Sequence, residues 1–88
     1  SQTTGTRADK LRIRALTKDN KIVGGLDSRT GDLGIWKTNY DFLRIDTIPD
    51  VSDFDLVRFS SKLYLIYLTR NSRGIFYRIL SLGGDNQV

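Results

Sequence analysis

The chain has 88 residues, 39% hydrophobic and 27% charged, which fits one compact domain with a modest core rather than a disordered segment. It contains neither cysteine nor histidine, so disulfides, thiolate metal sites, cysteine nucleophiles and imidazole acid–base chemistry are excluded. Fourteen Lys and Arg against ten acidic residues give a net charge of +4 and a pI near 9.7, a balance that points toward an anionic partner.

Residue choice favours strands. All ten acidic residues are aspartate, alanine occurs only at Ala8 and Ala15, and methionine is absent, so good helix formers are scarce. Ile, Val and Thr supply twenty residues and aromatics nine more, the types that fit a pleated surface.

In chain order, Lys10, Arg12 and Arg14 alternate with Leu11, Ile13 and Ala15, a period of two that separates charge from apolar groups across a strand. Thr17–Asn20 has turn chemistry, and Lys21–Leu26 resumes an apolar run, giving a first hairpin. Asp27–Gly31 is a second turn, with Gly31 free to take a positive φ, and Leu33–Thr38 is a third strand containing Trp36. Gly24-Gly25 carries no phosphate-loop pattern and reads as a bulge or a close backbone approach.

After a break at 38–41, Phe42–Ile48 is strand-like and Pro49-Asp50 closes it. An acidic loop follows, then strands at Leu56–Phe59 and Leu63–Thr69 separated by Ser60-Ser61-Lys62. Arg70–Gly74 is a hairpin turn and Ile75–Leu82 the last strand. An alternative places a short helix within 52–66, capped by Ser52, with Leu56, Phe59, Leu63 and Ile66 as its stripe. The unbroken Leu63–Leu68 run reads instead as a buried central strand.

Lys21-Ile22-Val23 lies forty-one positions before Lys62-Leu63-Tyr64, and Arg29 the same distance before Arg70; with one residue deleted, Gly34-Ile35-Trp36 falls on Gly74-Ile75-Phe76. A period of forty-odd residues is that of propeller blades. The stretch from Gly25 to Lys37 loosely resembles the inner strands of a WD-type blade, without that family's Gly-His and Trp-Asp signatures, and no family is assigned. If the repeat is real, two blades cannot close a ring and the chain must assemble or be a piece of something larger.

Little in the chain reads as catalytic. Asp50, Asp53 and Asp55 offer oxygen ligands for Mg²⁺ or Ca²⁺, but the spacing is not a calcium loop and aspartates beside Pro49 serve turns. Asp19-Asn20-Lys21 and Pro49-Asp50 look like parts of a metal-dependent nuclease site in reversed order. The expectation is a non-enzymatic module with no catalytic residue, metal or cofactor.

The basic set carries the first functional expectation, nucleic-acid binding. Lys10, Arg12 and Arg14 would line one strand face at roughly 6.5–7 Å intervals, a spacing near that of successive phosphates. Arg70, Arg73 and Arg78 would surround the last hairpin near Tyr64, Tyr67 and Tyr77, cations for the backbone and rings for stacking. The alternative is a homo-oligomeric structural or protein-interaction domain, including a two-repeat propeller-like assembly, with Tyr64, Tyr67 and Tyr77 at the interface.

The fold expectation is all-β: a single small barrel or twisted sandwich of six to seven short antiparallel strands over 10–82, with flexible segments at 1–9 and 83–88. Its expected core is Leu11, Ile13, Ile22, Ile35, Trp36, Leu43, Ile45, Leu56, Leu63, Leu65, Ile75 and Ile79. The missing cysteines favour an intracellular, viral or phage setting, and no signal peptide or membrane-spanning run is readable.

Overall fold

The computed structural model describes residues 7–15, 17–38 and 42–80, with Phe42 described by its backbone alone. Seven strands follow one another: β1 (Lys10–Ala15), β2 (Lys21–Asp27), β3 (Asp32–Thr38), β4 (Phe42–Ile48), β5 (Val51–Phe59), β6 (Lys62–Thr69) and β7 (Phe76–Leu80). They form two antiparallel meanders, a first sheet ordered β1-β2-β3-β4 and a second ordered β5-β6-β7. The all-β expectation holds. The described parts contain no helix, and the 52–66 alternative gives way to β5 and β6.

Turn chemistry explains the connections. Gly31 takes φ +85 and its N–H bonds to the Asp27 carbonyl at 2.7 Å, closing the β2–β3 turn, while the Asp27 carboxylate accepts from the Arg29 N–H at 3.0 Å. Ser60 and Ser61 are both left-handed, as a two-residue hairpin requires. Between β4 and β5, Pro49 and left-handed Asp50 turn the chain from one sheet to the other. That corner is pinned by Val51 N–H to Gly31 O and Arg70 N–H to Asp50 O, both 2.8 Å.

The sheets face each other over one core. Ile22, Leu26, Leu33, Ile35 and Ile48 come from the first sheet; Val51, Phe54, Leu56, Leu63, Leu65 and Leu80 come from the second. Each fully buried Leu or Ile contributes about 1.5–3 kcal/mol of transfer free energy. Gly24 lets the layers close: a Cβ there would lie 2.5 Å from the Phe54 ring, the close approach the paired glycines imply.

Several expectations are corrected. Ile22, Ile35, Trp36, Leu56, Leu63 and Leu65 are buried and Ile45 packs against the core, but Leu11, Ile13, Leu43, Ile75 and Ile79 are exposed. In β1 the alternation is real and its sense is reversed. Lys10, Arg12 and Arg14 share the face of Leu26, Gly24 and Ile22, their register partners on β2, while Leu11 and Ile13 point to the outside. The reason is the acidic segment, which is no loop. β5 alternates Phe54 and Leu56 inward with Asp53 and Asp55, and it runs beside β1, so β1 turns its cations to those carboxylates.

The repeat is present in part. Lys21-Ile22-Val23 and Lys62-Leu63-Tyr64 open β2 and β6, with Ile22 and Leu63 both fully buried, and Arg29 and Arg70 both occupy the turns that follow. The returning strands are offset from the expected alignment. Phe76 pairs with Tyr67 as Leu33 pairs with Leu26, so Ile79 rather than Phe76 takes the place of Trp36. Of the two flexible segments expected at the ends, residues 1–6 and 83–88 lie outside the described residues. Asp9 is tied down, donating to Leu26 O at 3.0 Å and accepting from the Ser28 N–H at 2.7 Å.

Candidate functional site

Most of the cations singled out in the sequence are occupied by the protein itself. Lys10 Nζ lies 2.7 Å from Asp53, and Arg12 and Arg14 lie 3.6 and 3.8 Å from Asp55. The Lys10 ammonium, with the Phe54 N–H, holds the Asp53 carboxyl below its ordinary range. Arg78 reaches across the core side to Asp46 of β4, and the Tyr67 hydroxyl together with that carboxylate raises its already high pKa. These pairs are partly solvated, so each contributes at most about 1 kcal/mol.

Arg70 does something the sequence did not reveal. Its guanidinium donates to the carbonyl oxygens of Ser28 at 2.6 Å and of Arg29 and Thr30 at 3.2 Å, and it lies over Gly31, where any Cβ would come within 3.1 Å of it. It staples the β6–β7 loop onto the β2–β3 turn, a task for the rigid five-donor fork of arginine. Arg73 alone of the six holds no ion pair or hydrogen bond among the described residues.

The three tyrosines divide between two faces. Tyr67 is on the core side, stacked on Phe76 with ring centroids 5.7 Å apart. Tyr64 and Tyr77 are diagonal neighbours on the outer side of the second sheet, 6.1 Å apart and tilted by 51°. The register collects more apolar groups beside them. Val57, Tyr64 and Ile79 form one cross-strand row, Ile66 and Tyr77 the next, with Leu68 and Phe59 toward opposite ends. Phe59 is 67% and Tyr77 65% exposed, and Val57, Leu68 and Ile79 are also well exposed. Charge borders this face at Lys62 beside Phe59 and along β5, where Asp53 and Asp55 lie level with Leu68 and Ile66 and bring Lys10, Arg12 and Arg14 with them.

The outer side of the first sheet is built differently. Trp36 lies flat over Gly25 and Gly34, whose missing Cβ atoms would meet its ring at 3.1 and 2.6 Å, and the Arg44 guanidinium covers it 4.9 Å from the ring centroid. The ring is thereby 6% exposed although it points away from the core. No trio of acidic side chains converges on a common point among the described residues, and Asp50, Asp53 and Asp55 are spread along the start of β5.

The geometry therefore defines a two-sheet antiparallel β-sandwich with one unclothed apolar face. No protein-family model matches the chain, and no curated protein or solved structure resembles it significantly. Among the described residues no helix is long and apolar enough to cross a membrane.

Proposed function

We propose that this protein is a non-enzymatic interaction module that associates with protein through the outer face of its β5-β6-β7 sheet. One observation carries the reading: Val57, Phe59, Tyr64, Ile66, Leu68, Tyr77 and Ile79 form a contiguous apolar surface on one side of a three-stranded sheet. Exposed patches of this kind, aromatic at the centre and charged at the rim, are characteristic of contact surfaces. Tyrosine adds area at small entropic cost because it has only two side-chain torsions.

Nucleic-acid binding draws its support from the +4 charge and from Arg73. It is weakened by the carboxylates beside Lys10, Arg12, Arg14 and Arg78, which repel the phosphates those cations would bind. The two readings part in one pair of measurements. Light scattering across a concentration series should give a rising mass that Tyr77→Asp abolishes, while a labelled single strand titrated over a salt series should show weak binding of shallow slope. Tight strand binding with steep salt dependence and an invariant monomer mass would overturn the proposal.

A further inference from the structure

We infer that the Arg73–Gly74 bond is a cleavage site for an endoprotease of trypsin-like specificity, and that cutting it takes β7 out of the contact face. The second half rests on the interaction reading above, because β7 supplies Tyr77 and Ile79 to that face.

Access argues for the site. A protease must draw several residues on each side of the bond into its cleft as extended chain, so it cuts where the backbone opens locally at small cost. Residues 71–79 form the longest exposed run among the described residues. Residues 71–74, in the loop between β6 and β7, carry no backbone–backbone hydrogen bond among the described residues, and the Thr69 hydroxyl reaches the Ser72 carbonyl only at 3.5 Å. Arg73 holds no ion pair or hydrogen bond there, so its side chain is available to an acidic specificity pocket. Gly74, at φ +108 with nothing within 4 Å of where a Cβ would sit, leaves the other side of the bond open.

Elimination argues for it as well. Every Lys and Arg of the chain falls among the described residues, so the competing bonds can be judged. Lys18 lies in a turn tied by the Thr17 hydroxyl, which accepts from the Asp19 and Asn20 N–H groups. Arg29 lies in the turn that Asp27 closes and that Arg70 grips at three carbonyls. Arg70 is itself the anchor of its loop, and its N–H is bound to the Asp50 carbonyl. Lys62 and the remaining cations from Lys10 onward sit within paired strands. Arg7 precedes β1, and a cut there leaves every strand in place.

Hydrolysis adds one water across the amide and leaves a carboxylate on Arg73 and an ammonium on Gly74. β7 then has no covalent link to β6. It spans only Phe76–Leu80, lies at the end of its sheet, and buries Leu80 alone. The intact loop holds β7 beside β6 at about millimolar effective concentration, roughly a thousandfold above a cut chain at micromolar protein. The piece 74–88 therefore departs with Tyr77 and Ile79, and the face is lost irreversibly.

Limited trypsin digestion of the folded full chain, followed by intact mass, tests the site. The first cut inside 10–80 should fall after Arg73, at least about tenfold faster than any other, because cleavage follows the population of locally open backbone. Arg73→Gln, with Trp36 emission unchanged, should slow loss of the intact strands by a similar factor. A first cut at any other residue of 10–80 overturns the site, as does equal consumption of Arg73→Gln. Gel filtration of the nicked chain should separate 74–88 from the rest; co-elution overturns the release of β7 and leaves the site standing. Neither result touches the contact face itself, which is tested by the mass of Tyr77→Asp in light scattering.

Discussion

The outer faces of the two sheets hold similar kinds of side chain and treat them differently. On the first sheet, glycines at 25 and 34 make a floor on which Trp36 lies flat, and Arg44 forms its roof. On the second, the register positions matching Gly34 and Trp36 are Tyr77 and Ile79, so the glycine floor is replaced by side chains and Tyr77 stays exposed. One face is covered by its own chain in the Trp36 region, although Leu11 and Ile13 at its β1 margin remain exposed. The other offers its centre as well as its margin. A large aromatic group exposed by its position in the strand alternation is thus made internal when its neighbours lack Cβ atoms.

The contrast can be broken from the covered side. Gly34→Ala drives a Cβ to 2.6 Å from the Trp36 ring and 2.7 Å from an Arg44 nitrogen, so it should cost about 1–3 kcal/mol, as overpacking does. Chemical denaturation measures that loss, and a red shift in the emission of the sole tryptophan reports the displaced ring. Stability equal to wild type with unshifted emission would mean that the glycine floor is unimportant.

Arg44→Ala removes only the roof. The expected loss is about 0.5–1 kcal/mol, the range of a cation over an indole near the surface, with faster iodide quenching of Trp36. Self-association should be unaffected, because Arg44 belongs to the other face.

A smaller effect is expected at the margin of the second sheet. Asp53 titrates below the ordinary aspartate value of 3.8 because of Lys10 and the Phe54 N–H. A carboxylate with a depressed folded pKa stabilises fully above its unfolded value and loses that contribution as pH falls through the folded one. Denaturation midpoints measured from neutral pH down to below 3.8 should therefore show wild type losing its margin over Asp53→Asn, a margin of about 0–1 kcal/mol for an exposed pair. A margin that persists at the acid end would disconnect it from this carboxylate.

Much of the fold was readable because local chemistry dictated it. The strands around Gly31, the Ser60-Ser61 hairpin and the central Leu63–Leu68 run appear where turn residues and apolar runs place them. What alternation could not settle was direction. A period of two separates Leu11 and Ile13 from Arg12 and Arg14, but which set faces inward depended on Asp53 and Asp55 forty residues away. Exposed apolar residues on the second sheet defeat the same reasoning, since Val57 and Leu56 are equally oily and only Leu56 is buried. Of the proposed contact face, the sequence singles out Tyr64 and Tyr77, and both lie on the outer side of the second sheet. The task of Arg70 was not legible, because a guanidinium satisfied by three carbonyls looks the same in a sequence as one awaiting a phosphate.

The most direct test is a dilution series followed by methyl and aromatic resonances in solution. Signals of Val57, Ile66, Leu68 and Ile79 should move with protein concentration, while those of Leu11, Ile13 and Trp36 stay fixed. Concentration-dependent shifts confined to Leu11, Ile13 and Trp36, or none on either face up to millimolar protein, would contradict the account.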